Sequence, residues 1–232
     1  MKREVTTAIV LRRTDYGEAD RIVSLLTHNH GKITVFAKAV RKPKSRLAGG
    51  IELFSVNDIT FIPGKGDMAT LVSSRVLQHF GNIVHDYDST MYAYKLIKTV
   101  DALTENTVNE QFFVFLREAL SSLDNPSLSL DKVQLWASLR LLTLLSVTPN
   151  LLTDEKGQEL ESSARYRFDI ENMCFVRHAE GMFDARHIKL MRFCVGAESG
   201  LLLLRLQAEE ELFQPAKALM QQVASETLQV EL

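Results

Sequence analysis

The first eighty residues alternate between short apolar or β-branched segments and turn residues. Five of these segments have the composition of strands, namely TTAIVLRR, RIVSLLT, KITVFAKAV, FSVNDITFI and MATLVSSRVLQ. In the third segment Ile33, Val35 and Ala37 occupy alternate positions, which is the period of a strand with one buried face. Because five short strands have many edges to protect, we expect a small antiparallel barrel, closed or nearly closed.

Near residue 86 the period of the apolar residues changes from that of a strand to that of a helix. Tyr92, Leu96 and Leu103 fall on one helical face, and the same spacing returns between Phe112 and Leu123. At least two amphipathic helices are therefore predicted directly after the strands.

Three further helices are predicted in the second half of the chain. Residues 131–147, DKVQLWASLRLLTLLSV, are apolar enough to form the centre of a bundle. The segment DARHIKLMRFCVGAE also has helical spacing, with Asp184 as its candidate N-cap. A last helix is predicted from about Leu203 to Leu228, and Pro215 should kink it or split it in two.

An irregular, polar stretch at residues 149–181 interrupts the helices. Within it, ARYRFDIENMCFVR has the pattern of a hairpin that turns at Glu171-Asn172. The predicted fold class is therefore α+β. A five-stranded barrel over residues 1–81 is followed by a helical domain over residues 82–232 that carries a small hairpin insertion.

Charge is distributed unevenly along the chain, whose formal net charge is -2. Residues 1–80 carry 13 Lys and Arg against 7 Asp and Glu, or +6, whereas residues 81–232 carry 14 against 22, or -8. The positive charge peaks in AKAVRKPKSRLAGG, residues 37–50, which contains five cations and no acid. This pattern indicates two modules with different partners; the alternative is chance unevenness along the chain.

Several functional classes are disfavoured by what the sequence lacks. No apolar run reaches the ~18 residues of a membrane span, and no signal segment opens the chain, so we expect a cytoplasmic protein without a membrane partner. Cys174 and Cys194 are too few for a disulfide framework or a thiolate metal site. Because no motif assembles a nucleophile, a base and an orienting group, an enzyme is the least expected class.

Cations beside aromatic residues on the predicted barrel point to nucleic-acid binding. Such barrels bind single strands by combining a cationic groove with aromatic faces on which bases stack. Lysine and arginine neutralise phosphates and release counterions whatever the base sequence. The candidate binding residues are Arg12, Arg13, Arg21, Phe36, Lys38, Arg41, Lys42, Lys44 and Arg46. The alternative is a solvated loop whose charges only maintain solubility.

The longest recognisable pattern in the chain is AIVLRRTDYGEADRIVSLLTHNHGKITVFAKAVRKPKSRLAGGIELFS, residues 8–55. It closely resembles the N-terminal region of the RecO-type recombination mediators. That family shows a DYGEADRI turn, a glycine before an alternating strand, a segment like AKGARRPKSRLAG, and a PFS-like segment. This chain has Ala39-Val40 in place of Gly-Ala and Leu53-Phe54 in place of Pro-Phe.

The resemblance implies an OB-fold barrel followed by a helical domain with a small ribbon-like insertion. It also implies a non-enzymatic mediator of recombinational repair that binds single- and double-stranded DNA and anneals complementary strands. Such proteins help to load recombinase onto DNA coated with single-stranded-DNA-binding protein. The implied partners are the acidic, apolar C-terminal tail of that protein and a RecR-like protein, and the implied location is the nucleoid. From residue 149 onward the resemblance is weak.

Two departures from the family pattern concern the second half. Many members carry four cysteines in the insertion and bind zinc there, but this chain has only Cys174 within residues 149–181. We therefore expect a metal-free remnant hairpin and no cofactor. The chain also ends in SETLQVEL, acidic and apolar, where the family often has a basic tail.

The resemblance also implies a pocket for the partner's acidic tail on the helical domain. Such a peptide needs cations beside an apolar slot, and Lys132 and Arg140 flank Trp136 on one predicted helix. The alternative is that Trp136 belongs to the core and both cations are solvated.

Two other functions fit the same residues. One is a protein-interaction scaffold of the same pathway with little DNA affinity, which the acidic second half favours. The other is an OB-fold RNA-binding module, because backbone contacts alone do not distinguish the two sugars.

Overall fold

The computed structural model divides the chain into two compact units, Met1–Asp124 and Asn125–Leu232. The structure describes residues 2–43, 45, 47–66, 68–105, 108–206 and 208–228.

The first unit contains a closed five-stranded barrel. Its strands are β1 (Glu4–Tyr16), β2 (Asp20–Thr27), β3 (Gly31–Ala37), β4 (Ser55–Ile62) and β5 (Met68–His79). Around the barrel they follow the order β1-β2-β3-β5-β4, and β4 closes on β1. The OB-type barrel expected from the sequence is thereby confirmed.

One strand pair departs from the expected antiparallel arrangement. β3 and β5 run parallel, with Val35 opposite Ala69. The prediction of a wholly antiparallel barrel was wrong here, since β4 lies between β1 and β5 rather than beside β3. The chain crosses from β3 to β4 and then returns in β5 along the direction of β3.

Alternate residues of the strands fill the barrel interior. The main members of this buried cluster are Ala8, Val10, Val23, Leu25, Val35, Ala37, Ile59, Phe61, Ala69 and Leu71. A β-bulge between Val10 and Arg12 resets the alternation, so that Arg13 lies opposite the inward-facing Val23 and Arg12 lies opposite Ser24. The bulge therefore decides which of the two arginines faces outward.

Two helices cover part of the outside of the barrel. They are α1 (Tyr87–Leu103) and α2 (Glu110–Leu123), which contact β1 and β2. Ile9, Leu26 and Val56 are register neighbours on the outer face of the strands, and all three are buried. The packing of α1 and α2 explains why this outer face is apolar.

Sequence pattern and packing divide the chain at different places. The predicted boundary at 81/82 follows the change from strands to helices, two residues after β5 ends at His79. The compact units instead divide between Asp124 and Asn125, so α1 and α2 belong with the barrel.

The second unit is built around a buried helix. Its elements are α3 (Leu130–Leu144), β6 (Asn150–Asp154), β7 (Tyr166–Asp169), β8 (Cys174–Arg177), α4 (Ala185–Gly196) and α5 (Phe213–Leu228). α3 contacts both α4 and α5, which confirms its predicted central position. The predicted hairpin is β7–β8, and β6 pairs with β8 to complete a three-stranded sheet.

The ends of the last two helices are set by local chemistry. Asp184 caps α4 as predicted, accepting backbone hydrogen bonds from Arg186 and His187. The single helix predicted from about Leu203 was wrong, because residues 200–205 and 210–212 form 3-10 turns and α5 begins only at Phe213. Pro215 thus lies in the first turn of α5, where its missing N–H is not needed.

No described helix is both long and apolar enough to cross a membrane.

Candidate nucleic-acid interface

The connection from β3 to β4, residues 38–54, is called the basic loop here. Its start is held against the β1–β2 turn by backbone hydrogen bonds. Ala39 N–H donates to Asp20 Oδ1 at 2.6 Å, and Arg41 N–H donates to the Ala19 carbonyl at 2.9 Å. The position of the first loop residues is therefore set by the neighbouring hairpin.

The end of the basic loop is held against β5. Residues Ala48–Ile51 form a 3-10 turn, and Ser74 Oγ donates a hydrogen bond to the Gly50 carbonyl. A Cβ at Gly50 would lie only 2.8 Å from the backbone carbon of Ser74, so this close approach requires glycine. Both ends of the basic loop are thus attached to strands of the barrel.

Three of the predicted arginines form one ionic network with two carboxylates. Arg13 forms an ion pair with Glu52. Arg21 contacts both carboxylates, because its Nε lies 2.8 Å from Asp15 Oδ1 and its Nη1 lies 4.0 Å from Glu52 Oε1. Arg41 Nη1 lies 3.5 Å from Asp15 Oδ2. The hydrogen bond from Arg21, and then the charge of Arg41, lower the pKa of Asp15 despite some desolvation. The network joins both ends of the basic loop to the β1–β2 hairpin.

Arg12 lies outside that network, on the outer face of the barrel. Its side chain is 64% exposed, and its Nε is 4.0 Å from Asp101 of α1. Asp101 is more closely paired with Lys32, at 2.5 Å. Arg12 therefore keeps most of its charge available to a ligand on this face.

An aromatic pair lies on the same outer face, next to the start of the basic loop. The rings of Tyr16 and Phe36 meet edge to face with centroids 5.8 Å apart, and Tyr16 is 56% exposed. In the neighbouring strand β5, Met68 and Thr70 lie opposite Thr34 and Phe36 and are exposed. Together these residues form a ring-bearing surface of the kind on which bases stack.

The remaining predicted cations belong to the basic loop. Lys38 and Lys42 are exposed and form no ion pair with any residue that the structure describes. Lys44 and Arg46 lie outside the described residues. The structure thus brings Arg12, Phe36, Lys38 and Lys42 to an accessible surface, and it engages Arg13, Arg21 and Arg41 in ion pairs.

Sequence reasoning missed the acidic members of this site. Asp15, Asp20 and Glu52 each hold a cation or a loop N–H in place. Asp15 and Asp20 could have been found from the pair of aspartates in DYGEAD, whereas no local pattern marks Glu52.

The predicted tail-binding residues of the second unit lie on α3. Trp136 is fully buried, and its Nε1–H donates to the Ala197 carbonyl at 2.9 Å. Lys132 Nζ is 2.5 Å from Glu210, and Arg140 Nη1 donates to the Val195 carbonyl at 3.2 Å. This placement matches the alternative that Trp136 is part of the core, because its ring offers no surface to a peptide.

A cavity of about 360 Å³ lies elsewhere in the second unit, between α4 and the segment that precedes α5. Its lining combines cations with apolar side chains: Arg186, Lys189, Leu190, Phe193, Leu206, Ala208, Glu209 and Leu212. Arg186 is paired with Asp184 and Glu209, at 2.9 and 2.7 Å, whereas Lys189 is exposed. This cavity has the cation-beside-apolar-slot chemistry that the sequence assigned to α3.

Comparison with known proteins agrees with this barrel and basic loop. Residues 1–80 match the family described as Recombination protein O N terminal. A protein of Listeria welshimeri named DNA repair protein RecO is 30% identical over 199 residues, which cover 82% of this chain and 76% of that protein. The chain belongs to the RecO family.

Other RecO relatives match over a shorter region. The protein of the same name from Desulfatibacillum aliphaticivorans is 36% identical over 149 residues, covering 63% of this chain and 58% of the relative. The protein of the same name from Dehalococcoides mccartyi is 39% identical over 121 residues, which cover 52% of this chain and 47% of that relative. The chain thus spans about half of the length of several RecO relatives it matches.

Neither cysteine belongs to a group of possible metal ligands among the described residues. Cys174 and Cys194 are both buried and unbonded, and burial raises the pKa of the Cys194 thiol to about 12. No three His, Cys, Asp or Glu side chains of the described residues are grouped as a metal would need. The last four residues of SETLQVEL lie outside the described residues.

Proposed function

We propose that this RecO family chain binds single-stranded DNA and acts as a non-enzymatic mediator in DNA repair. The observation that carries the proposal is the accessible surface of Tyr16 and Phe36, bordered by Lys38 and Lys42, which form no ion pair with any described residue. The names of the relatives, DNA repair protein RecO, support DNA repair as the setting.

The geometry suits a platform that holds the backbone of a strand without reading its sequence. Lys38, Lys42 and Arg12 neutralise phosphates, and bases stack on the rings of Phe36 and Tyr16. Because these contacts leave the Watson–Crick edges of the bases open, a complementary strand can pair with the bound one. This arrangement supports the proposal that the chain anneals complementary strands. The family resemblance supports three further proposals: binding of double-stranded DNA, loading of recombinase and a RecR-like partner.

The role of the loop lysines is tested by the salt dependence of oligonucleotide binding. Lys38→Gln combined with Lys42→Gln should reduce the slope of log K against log salt by about 1.4, or about 0.7 for each lost phosphate contact. The control combines Lys98→Gln with Lys156→Gln, which removes two exposed lysines far from the rings in sequence. An unchanged slope in the loop variant, or an equal change in the control, contradicts the assignment.

The proposed stacking of bases is tested by replacing the ring of Phe36. Phe36→Leu keeps an apolar side chain but removes the aromatic face, so affinity for single-stranded DNA should fall by about fivefold to a hundredfold. Tyr87→Leu is the control, because Tyr87 is 75% exposed and lies at the start of α1, outside the barrel strands that carry Tyr16 and Phe36. Equal affinities of the two variants would exclude Phe36 as a stacking residue.

The two alternative functions give different outcomes in a competition assay. A DNA-binding mediator retains labelled single-stranded DNA against an excess of matched RNA, whereas an RNA-binding module loses it. A protein-interaction scaffold binds neither oligonucleotide but still binds its protein partners.

We further propose that the cavity beside α4 accepts the acidic, apolar-ended tail of single-stranded-DNA-binding protein. Lys189 supplies a cation to the peptide carboxylates, and Phe193 and Leu212 supply the apolar slot. Lys189→Glu should weaken binding of a synthetic tail peptide at least tenfold, measured by fluorescence anisotropy. Lys156→Glu is the matched surface control. If Lys132→Glu abolishes binding and Lys189→Glu does not, the peptide binds at the originally predicted residues of α3.

A further inference from the structure

The ionic network at the base of the basic loop contains two carboxylates on a surface proposed to bind polyanions. Carboxylates at such a position repel phosphate, so their presence needs a reason. Asp15 and Glu52 contact the guanidinium groups that a phosphate would contact. A carboxylate and a phosphate oxygen offer the same acceptor chemistry to arginine.

We propose that Asp15 occupies, in the unbound protein, the place on Arg41 that a nucleic-acid phosphate takes on binding. Binding then proceeds by exchange: the phosphate oxygen replaces Asp15 Oδ2 on Arg41 Nη1, and Asp15 Oδ1 keeps its hydrogen bond from Arg21 Nε. This inference rests on the proposed function, because it describes how the same surface is regulated.

The contacts differ in a way that singles out this pair. Arg41 Nη1 lies 3.5 Å from Asp15 Oδ2, and the two side chains are 37% and 54% exposed. The Arg21–Asp15 contact is shorter, at 2.8 Å, and Arg21 is only 25% exposed. The longer contact between more exposed groups costs less to exchange, since neither partner is left buried without a counter-charge.

The backbone around Arg41 allows the exchange without moving the loop. Arg41 N–H stays bound to the Ala19 carbonyl, and Ala39 N–H stays bound to Asp20. Only the Arg41 side chain needs to rotate, and the two contacts that its Nη1 gives up, with Asp15 Oδ2 and the Gly17 carbonyl, are both 3.5 Å long. Glu52 and Arg13 meanwhile keep the far end of the loop attached to the hairpin.

The exchange makes binding weaker and less sensitive to salt than an unpaired arginine would. Arg41 is already neutralised by Asp15, so its transfer to a phosphate releases fewer counterions. A strand that engages Arg41 together with Lys38 and Lys42 overcomes the competition, whereas a single anion does not. Asp15 therefore discriminates against isolated anions in favour of extended polyanions.

The test compares two acids of the same turn in the full-length chain. Asp15→Asn removes the competing charge but keeps a side-chain oxygen that accepts the hydrogen bond from Arg21. Glu18→Gln is the control, because it removes an equal charge from an exposed residue that forms no ion pair with any described residue. Asp15→Asn should raise the affinity for a single-stranded oligonucleotide about twofold to fivefold more than Glu18→Gln does. It should also steepen the salt slope by up to about 0.7, and Glu18→Gln should not.

A double-mutant cycle with Arg41→Gln assigns the effect to the proposed pair. In the Arg41→Gln background, Asp15→Asn and Glu18→Gln should change affinity equally, because the contact to be exchanged is gone. Equal effects of the two variants in the wild-type background, or an unchanged excess in the Arg41→Gln background, overturn the inference. The unfolding temperature of each variant, and of Asp15→Ser as a second replacement at the same position, checks that a gain in affinity does not come from an altered fold.

The same experiment separates this inference from the proposed function. If the wild-type chain binds no oligonucleotide, the proposed function fails. If it binds and the two acid variants behave alike, the proposed function stands and only the exchange is excluded.

Discussion

Ala39 shows how one residue sets the start of the basic loop. Its φ is +55°, in the left-handed region, and its N–H donates to Asp20 Oδ1 at 2.6 Å. An L-residue with a side chain pays about 1–2 kcal/mol in this region, which glycine avoids. Glycine is therefore the residue that suits this backbone position best.

Ala39→Gly should therefore stabilise the first unit. Relief of the backbone strain exceeds the extra entropy of glycine in the unfolded chain, and the expected net gain is about 0.5–1 kcal/mol. Denaturant unfolding measures it. The control is Ala102→Gly on the exposed face of α1, which should destabilise by about 1 kcal/mol. A loss of stability in Ala39→Gly would mean that the strain is absent in solution.

Asp184 sets the start of α4 by a different means. Partial burial raises its pKa, but hydrogen bonds from Arg186 and His187 outweigh that effect and hold the pKa well below the ordinary range. A folded-state pKa that is lowered stabilises the fold at pH values above the unfolded pKa of about 3.9. That stabilisation is lost progressively as the pH falls toward the folded pKa.

Asp184→Ala should accordingly destabilise the second unit in a pH-dependent way. The expected cost is about 1 kcal/mol at pH 7, where the charged cap is intact, and it should shrink below about pH 4. Chemical denaturation at a series of pH values measures the difference from wild type. Glu180→Ala, an exposed acid before α4, is the control and should show no such trend. A cost that is independent of pH would assign the effect to the hydrogen bonds alone.

At the scale of elements, the basic loop depends on close contact with β5. Gly50 and Gly49 are neighbours in one 3-10 turn, but only Gly50 faces Ser74. A Cβ at Gly50 would lie 2.3 Å from Ser74 Oγ and 2.6 Å from its Cβ, whereas a Cβ at Gly49 meets nothing within 4 Å.

The glycine pair offers a matched test of this attachment. Gly50→Ala should destabilise the first unit by about 1–3 kcal/mol, because β5 or the turn must shift. Gly49→Ala should change stability by less than about 0.5 kcal/mol. Thermal unfolding and hydrogen exchange of the loop amides report both effects. Equal effects of the two substitutions would contradict the observed contact with Ser74.

At the scale of the whole molecule, α1 and α2 complete the barrel unit. Ile9, Leu26 and Val56 are buried neighbours on the outer face of the barrel, and α1 and α2 contact β1 and β2, the strands of Ile9 and Leu26. Leaving three such side chains exposed costs about 1.5–3 kcal/mol each. That sum is comparable with the whole stability of a small domain.

A fragment of residues 1–124 should therefore fold cooperatively, whereas a fragment of residues 1–81 should be unstable or aggregate. Circular dichroism and denaturant unfolding of the two fragments measure this difference. The same fragments locate the domain boundary. Equal stability of the two would place it at 81/82, as the pattern of strands and helices suggests.

The candidate interface was predictable from sequence to a limited degree. The alternation of Ile33, Val35 and Ala37 indicated β3, and the run of cations after it indicated the basic loop. The sequence did not indicate that Asp15 and Glu52 would both lie within 4.0 Å of the Arg21 guanidinium. Such contacts depend on strand register and on the bulge in β1, which local patterns do not encode.

Sequence alone determined the strands, most of the helices, the polarity of their faces, the position of the positive charge and the resemblance to the RecO family. The strands, the helices, their faces and the charge follow from short-range periodicity and composition, whereas the resemblance rests on the matched sequence of residues 8–55. The pairing of β3 with β5, the burial of Trp136 and the ion pair of Arg41 were apparent only in the folded structure, as was the absence of an ion pair between Lys38 and any described residue. The physical reason is that burial and charge pairing depend on residues distant in the chain, and these become neighbours only when the strands and helices pack.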